Sequence, residues 1–148
     1  MTHVLITGAD SGLGLALTRV FTDAGSTVAA LCRQSTPELD ALAPDIHEGV
    51  DVTNAAAVYR AAAEMGDRTI DVLINNAGIM IEDNIDRIDI AAVRAQFEVN
   101  ALGPLSVALA FRKRFRRGSR VVNISSRLGS IADNASGEDY GYRMSKAA

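Results

Sequence analysis

Cysteine is almost absent from this chain: among 148 residues, Cys32 stands alone. One thiol cannot close an internal disulfide, so the fold has to be held by packing, and a reducing, cytoplasmic setting is the default expectation. Also missing are a secretory signal, an apolar span of about 18 residues that could cross a membrane, any low-complexity stretch and any repeat period. Only three prolines are present and the twelve glycines are scattered, which leaves no linker and predicts a single domain over residues 1–148. Positive charge is not in excess: the formal net charge of -3 speaks against a surface built for nucleic acid. His3 and His47 lack companions at metal-ligand spacing, so no metal is expected.

What is there is 48% apolar and 22% charged, the balance of an ordinary globular domain with its own core. The first informative stretch is Thr7 to Gly14, TGADSGLG, between an apolar run at residues 3–6 and a helical pattern that begins at Leu13. A strand, a glycine turn and a helix N-terminus in that order make an anion site. The first N–H groups of a helix lack intrahelical partners and carry the positive end of its dipole. Gly8 allows the sharp exit from the strand, Gly12 leaves room for a pyrophosphate, and Gly14 lets the helix lie close to the strand. The spacing is Gly-x3-Gly-x-Gly, however, where the common dinucleotide fingerprint is Gly-x-Gly-x2-Gly. The mechanism carries over, but the pattern belongs to a different group of dinucleotide binders.

Periodicity orders the rest of the chain. Residues 13–24 predict a helix with Leu13, Ala16, Leu17, Val20 and Phe21 on its inner face, closed by Gly25. Residues 27–32, TVAALC, predict a strand buried on both faces. A short helical turn at 37–42 and a weak strand at 46–50 follow, and Thr53 predicts the N-cap of a helix over 54–65. A fourth strand at 71–74 runs into Asn75-Asn76-Ala77-Gly78. A long helix over 89–115 is expected to be irregular at Gly103-Pro104. A fifth strand at 120–125 and a helix from about Asp139 end the series. This alternation predicts an α/β fold: a Rossmann-type doubly wound parallel sheet with right-handed crossovers and strand order 3-2-1-4-5. Its ligand cleft would open between strands 1 and 4, above their carboxyl ends.

Into that cleft the topology brings the glycine turn, the Asn75 to Gly78 loop and the end of strand 5. The helix beyond carries Tyr142 and Lys146, four residues apart and so on one face. A phenol with its reference pKa near 10 exchanges protons poorly at neutral pH, and an ammonium beside it favours the phenolate. Such a pair can act as acid in one direction and as base in the other. An isolated pair of this kind is usually a surface tyrosine on a lysine stem; this one falls where a cofactor's reactive end belongs. Tyr140 is the competing tyrosine, but Met144 stands where its lysine would be. The basic run at 112–117, RKRFRR, reads as the solvated end of the long helix rather than a patch for nucleic acid or membrane. Cys32 reads as core rather than nucleophile.

Taken together, TGADSGLG, NNAG at 75–78, Asn100 in FEVNALGPL, NISS at 123–126 and YRMSK at 142–146 resemble, in that order and across the whole chain, the short-chain dehydrogenase/reductase family. The stretch from Ser125 to Ala148 further resembles the branch that holds the C-factor-like and sniffer-like carbonyl reductases. The resemblance implies an NAD(P)(H)-dependent oxidoreductase that moves a hydride reversibly between nicotinamide and the carbonyl or secondary alcohol carbon of a small molecule. It also implies a catalytic set. Tyr142 would give its proton to the carbonyl oxygen, Ser126 would hydrogen-bond that oxygen, and Lys146 would hold the nicotinamide ribose and tune Tyr142. Asn100 would support a water-linked proton path at a local helix distortion. Ser125 competes for the serine role; Ser126 is preferred as the second of the pair, 16 residues before Tyr142. By the same resemblance Gly8, Asp10, Ser11, Gly12, Leu13, Gly14, Asn76, Ala77 and Gly78 would bind the dinucleotide, with Tyr142 and Lys146 at its nicotinamide end. Asp51 and Val52 would meet the adenine, with Asp51 accepting from the exocyclic amine, although an aspartate before Thr53 is equally a plain turn residue. Homo-oligomers through the long helices are implied as well.

Cofactor choice is partly readable from the residues. A reader of the ribose 2′-hydroxyl is an acid at the end of strand 2, about 20 residues beyond the glycines. Cys32-Arg33 stands there instead, and a guanidinium suits a 2′-phosphate. NADP(H) is therefore expected over NAD(H), against two counterweights: the Asp10 carboxylate would repel that phosphate, and Arg33 can be read as simply solvated. The chain reaches Ala148 where the family continues, so the sheet is expected to be C-terminally incomplete, truncated before the last strands and the substrate segment. Val121, Val122 and Ile124 would then lie on an open edge. Two classes stay open: the reductase, and a non-catalytic dinucleotide-binding or signalling protein of the C-factor-like kind.

Overall fold

His3–Thr7 forms β1, and the computed structural model, which describes residues 1–42 and 45–148, places it at the centre of five parallel strands. β2 (Thr27–Leu31) and β4 (Ile70–Asn75) flank it, with β3 (Asp45–His47) beyond β2 and β5 (Phe115–Asn123) beyond β4. The order is β3-β2-β1-β4-β5, as the alternation predicts. Register sets Leu5 beside Ala29 on one side and Leu73 on the other. Successive strand side chains point to opposite faces, so β1 feeds two cores. Leu5, Ala29 and Leu73 pack with Val58, Ala61 and Ala62 of α3 (Ala55–Glu64) and Val107 and Phe111 of α5 (Gly103–Phe111). Val4, Ile6, Val28, Ala30 and Ile74 pack with Leu15, Leu17 and Phe21 of α1 (Gly12–Asp23) and with Leu39 of α2 (Pro37–Asp40). The remaining helices are α4 (Ile90–Phe97) and α6 (Tyr140–Ala147). Among the described residues no helix is long and apolar enough to cross a membrane.

Several local expectations change. The inner face of α1 is centred on Gly14 and Thr18, while Leu13 at 53% exposure, Ala16 and Val20 at 61% face outward. Close approach outweighs side-chain size here. A Cβ added at Gly14 would lie 2.0 Å from the Gly8 carbonyl oxygen, so only glycine lets this side of the helix meet the turn. α3 is capped by Asn54, whose side chain accepts from the Ala57 N–H, and not by Thr53, whose hydroxyl donates to Asp51. β3 is shorter and earlier than residues 46–50, because Gly49 turns the chain at φ +68, although Val50 still joins the core.

The expected helix over 89–115 is α4, a π turn at Glu98–Leu102, α5, and a 3-10 turn at Arg112–Arg114. The irregularity near Gly103-Pro104 has a direct cause: Pro104 has no N–H to give to the carbonyl four residues earlier, which is that of Asn100. β5 starts at Phe115, five residues before the expected start, because Phe115 pairs with Ile70 before the register shifts ahead of the Val72–Arg120 pair, a stretch in which Gly118 takes φ +94. The basic run therefore ends in a strand rather than a helix, and Arg116 pairs with Asp71 of β4. β5 is an open edge: Val121 is 46% and Val122 39% exposed.

Candidate active site

β1 delivers the chain into the glycine turn, where Gly8 takes φ +63 and Gly12 φ +50, backbone that β-carbon-bearing residues rarely adopt. Ser11 stands at the N-cap of α1, but its side chain does not cap the helix; its hydroxyl donates to Asp10 at 3.4 Å. The first turn also holds no acid. Its N–H groups and the positive end of its dipole are thus left for an external anion. They open onto a cleft of about 330 Å³ lined by Gly8, Asp10, Ser11, Gly12, Leu13, Arg33, Asp51, Val52, Asn76, Ala77 and Gly78, together with Cys32, Val50, Ile79 and Val99.

The two walls of this cleft are tied by one threonine. Thr7 Oγ1 accepts from the N–H groups of both Asn76 and Ala77 at 3.0 Å. The Asn76 amide donates back to the carbonyls of Thr7 and Gly8, each at 3.0 Å. At the far end, Asp51 Oδ1 accepts from the Thr53 N–H at 2.9 Å and its hydroxyl at 2.7 Å. These bonds, helped by the Arg33 charge, hold the Asp51 carboxyl below its usual range, so it is an acceptor at neutral pH. Arg33 is exposed, and among the described residues no ion pair engages it. Burial, with the charges of Asp10, Glu48 and Asp40, pushes the Cys32 thiol up to about 11. Cys32 is therefore a packed thiol rather than a nucleophile, as expected.

Five candidates lie outside the cleft wall: Gly14 packs under the turn against the Gly8 carbonyl, and Asn100, Ser126, Tyr142 and Lys146 lie beside the cleft. Lys146 Nζ sits 5.8 Å from the Tyr142 ring centroid and donates to the Ile124 carbonyl at 2.8 Å, which ties α6 to the end of β5. Burial holds the ammonium pKa below its ordinary value. A Cβ added at Gly78 would lie 3.2 Å from Asn100 Oδ1 and 3.5 Å from Lys146 Nζ. Gly78 is thus the point where cleft, lysine and π turn meet. Asn100 fixes the next residue of the loop: its Oδ1 accepts from the Ile79 N–H at 2.9 Å and its Nδ2 donates to the Ile79 carbonyl at 2.8 Å. Ser125 donates its hydroxyl to the Lys146 carbonyl at 3.4 Å, whereas Ser126 Oγ accepts from the Leu128 N–H at 3.2 Å.

Sequence reasoning missed Thr7, Val50, Ile79 and Val99. Thr7 carried a signal, since it stands inside the glycine motif. The others line the cleft because of topology alone, which no local pattern discloses. It also missed buried Ser145, whose Oγ accepts from Asn100 Nδ2 at 2.9 Å and donates to the Tyr142 carbonyl at 2.8 Å.

Comparison with known proteins follows the same outline. A family model described as short chain dehydrogenase matches residues 2–148. A 1-hydroxy-2-glutathionyl-2-methyl-3-butene dehydrogenase of Rhodococcus sp. (strain AD45) is 37% identical over 150 residues, which cover 100% of this chain and 66% of that protein. The C-signal protein of Myxococcus xanthus is 46% identical over 82 residues, 53% of this chain and 49% of the other. The chain therefore spans between half and two thirds of these relatives' lengths. A carbonyl reductase from Pseudomonas aeruginosa PAO1 superposes with a TM-score of 0.90 at 35% identity, covering 100% of this chain and 72% of that one. An NADPH-bound carbonyl reductase from chicken fatty liver superposes with a TM-score of 0.88 at 29% identity, covering 100% and 69%.

Proposed function

The chain belongs to the short-chain dehydrogenase family, and from that membership we propose that it carries the cofactor-binding and proton-donating parts of an NAD(P)(H)-dependent oxidoreductase acting on a small carbonyl or secondary alcohol. The observation that carries the reading is the meeting at Gly78 of an uncapped helix N-terminus, reached through the cleft, with Lys146 and Asn100. The residues present fit a dinucleotide: the free N–H groups of α1 suit a pyrophosphate, and the ionised Asp51 suits an exocyclic amine. A bound nicotinamide would supply or take the hydride.

The protein's own part is the oxygen. Tyr142 gives its phenolic proton to the carbonyl oxygen during reduction, and the Lys146 charge beside the ring favours the phenolate left behind. Ser126 adds a second donor to that oxygen. Its Oγ accepts from Leu128 and so keeps its own proton free, whereas the Ser125 proton is engaged by the Lys146 carbonyl. Pro104 offers no N–H to the Asn100 carbonyl, which supports a water-linked proton path from there towards Lys146. Arg33 favours NADP(H) over NAD(H), because it lines the cleft and, among the described residues, no ion pair engages its guanidinium. Exposed Leu102, Leu105 and Leu109 beside and along α5 support self-association through this helical face.

The test is a titration with NADPH and NADH followed by nicotinamide fluorescence, with a panel of small ketones and aldehydes added afterwards. Saturable NADPH binding with turnover is the expected result. The likeness to C-signal favours a second reading, a dinucleotide-binding or signalling protein without turnover, for which binding without consumption of NADPH is the mark. Failure of a folded chain to bind either nucleotide sinks both readings.

A further inference from the structure

α6 carries Tyr142 and Lys146, yet it cannot cap itself. An N-cap side chain reaches the first-turn amides when its own backbone is extended. Here Asp139, at the N-cap, is left-handed at φ 51 and ψ 38 and makes no side-chain cap bond. Glu138 before it is also left-handed at φ 58. The amides it leaves are taken by a residue 57 positions earlier in the chain: Asp83 Oδ1 accepts from the Tyr140 N–H at 2.7 Å. Its Oδ2 accepts from the Gly141 N–H at 2.9 Å, and its backbone carbonyl accepts from the Asp139 N–H at 2.9 Å. Gly141 is the residue that admits this approach, since a Cβ there would lie 3.0 Å from Asp83 Oδ2 and 2.6 Å from Gln96 Nε2.

Asp83 is itself held in place. The segment leading to it from Gly78 is fastened to α4 and the π turn at Ile79 by Asn100 and at Ile81, whose N–H donates to the buried Gln96 Oε1 at 3.0 Å. Hydrogen bonds therefore run from the cleft loop to the start of α6, with a carboxylate facing the positive end of that helix.

We propose that Asp83 is a positioning residue: it caps α6 from outside the helix and so sets Tyr142 and Lys146 relative to the Asn76–Gly78 loop. Its catalytic consequence rests on the reductase reading above; the docking itself does not. Asp83 is absent from the cleft wall, so its loss leaves the contacts of the glycine turn, Arg33 and Asp51 in place and reaches the dinucleotide only through Tyr142 and Lys146.

The experiment compares the wild-type chain with Asp83→Ala and Asp83→Asn, which keeps one acceptor oxygen. Amide hydrogen exchange is read along the chain, and NADPH binding and turnover with the ketone and aldehyde panel are read alongside. In Asp83→Ala, amides 140–143 are expected to exchange about tenfold faster, as for loss of a helix cap, with the strands unchanged. The turnover number is expected to fall by a similar factor while the NADPH midpoint moves less than about twofold, and Asp83→Asn should lie between. Unchanged protection of 140–143 overturns the proposal, and so does faster exchange spread evenly over the sheet. Lost protection with turnover intact overturns the positioning role. Lost protection in a chain whose wild type binds NADPH but turns over no carbonyl upholds the docking and counts instead against the reductase reading.

Discussion

Around the glycine turn, the groups offered to the proposed dinucleotide are backbone: N–H donors at the start of α1, with Gly8 and Gly14 making the room. Around Tyr142 and Lys146 the same task falls to side chains reaching across the fold, Asp83 to α6, Asn100 to Ile79 and Ser145, and Lys146 to Ile124. Backbone donors are placed by the strand and helix they belong to, so the glycine-turn end is robust to most substitutions but intolerant of added atoms. Side-chain bridges fail when a single functional group is lost. The two ends of one site should therefore break in different ways.

The sharpest division should come from Tyr142→Phe. With the proton donor gone and the ring kept, carbonyl turnover should fall by about 10²- to 10⁴-fold while the fluorescence titration with NADPH stays as in the wild type. Gly14→Ala should do the reverse. Its Cβ would meet the Gly8 carbonyl and Asn76 Nδ2, a backbone clash costing about 3 kcal/mol, visible as a lower denaturant midpoint together with lost nucleotide binding. Thr7→Val tests the tie between the walls. It keeps the shape but strands the N–H groups of Asn76 and Ala77, at about 2 kcal/mol by chemical denaturation. Arg33→Gln should weaken NADPH about tenfold and leave NADH alone, the loss of one charge-assisted contact; equal loss for both nucleotides would remove Arg33 from the 2′-phosphate.

The smallest effect concerns pH and lies away from both ends. The His3 N–H and the Arg116 guanidinium hold the Asp71 carboxyl below its usual value, joining the starts of β1, β4 and β5. Between that lowered value and about 3.9 the unfolded chain binds more protons than the folded one, so stability rises with pH across this window. The contribution is complete above the unfolded value and is lost as pH falls through the folded one. Asp71→Asn should therefore flatten the acid end of the stability profile, measured by denaturation at a series of pH values, and leave both ends of the site unchanged.

The glycine-turn end of the cleft was legible because its signals are local. TGADSGLG gives strand, turn and helix N-terminus within eight residues, and every candidate from Gly8 to Leu13 lines the cleft where the alternation of strands and helices puts it. The break near Pro104 was legible for the same reason, since a missing N–H is a property of one residue. Where a local pattern and a long-range contact competed, the contact won. The apolar stripe Leu13, Ala16 and Val20 points outward because Gly14 must meet the turn and turns its own side of the helix inward, and Phe115 joins a strand because Ile70 offers it a partner.

The sequence by itself determined the order of the elements and the parallel sheet, through the alternation of strands and helices, and the glycine turn and the Tyr142–Lys146 face, through spacing within one segment. Only the tertiary structure decided that the Ser125 hydroxyl donates to the Lys146 carbonyl while Ser126 Oγ accepts from the Leu128 N–H, that Thr7 joins the cleft walls, and that Asp83 caps α6. Those are hydrogen bonds between groups tens of residues apart, or choices among neighbouring donors that such bonds settle, and no periodicity in a chain encodes which distant acceptor a folded backbone will bring within 3 Å.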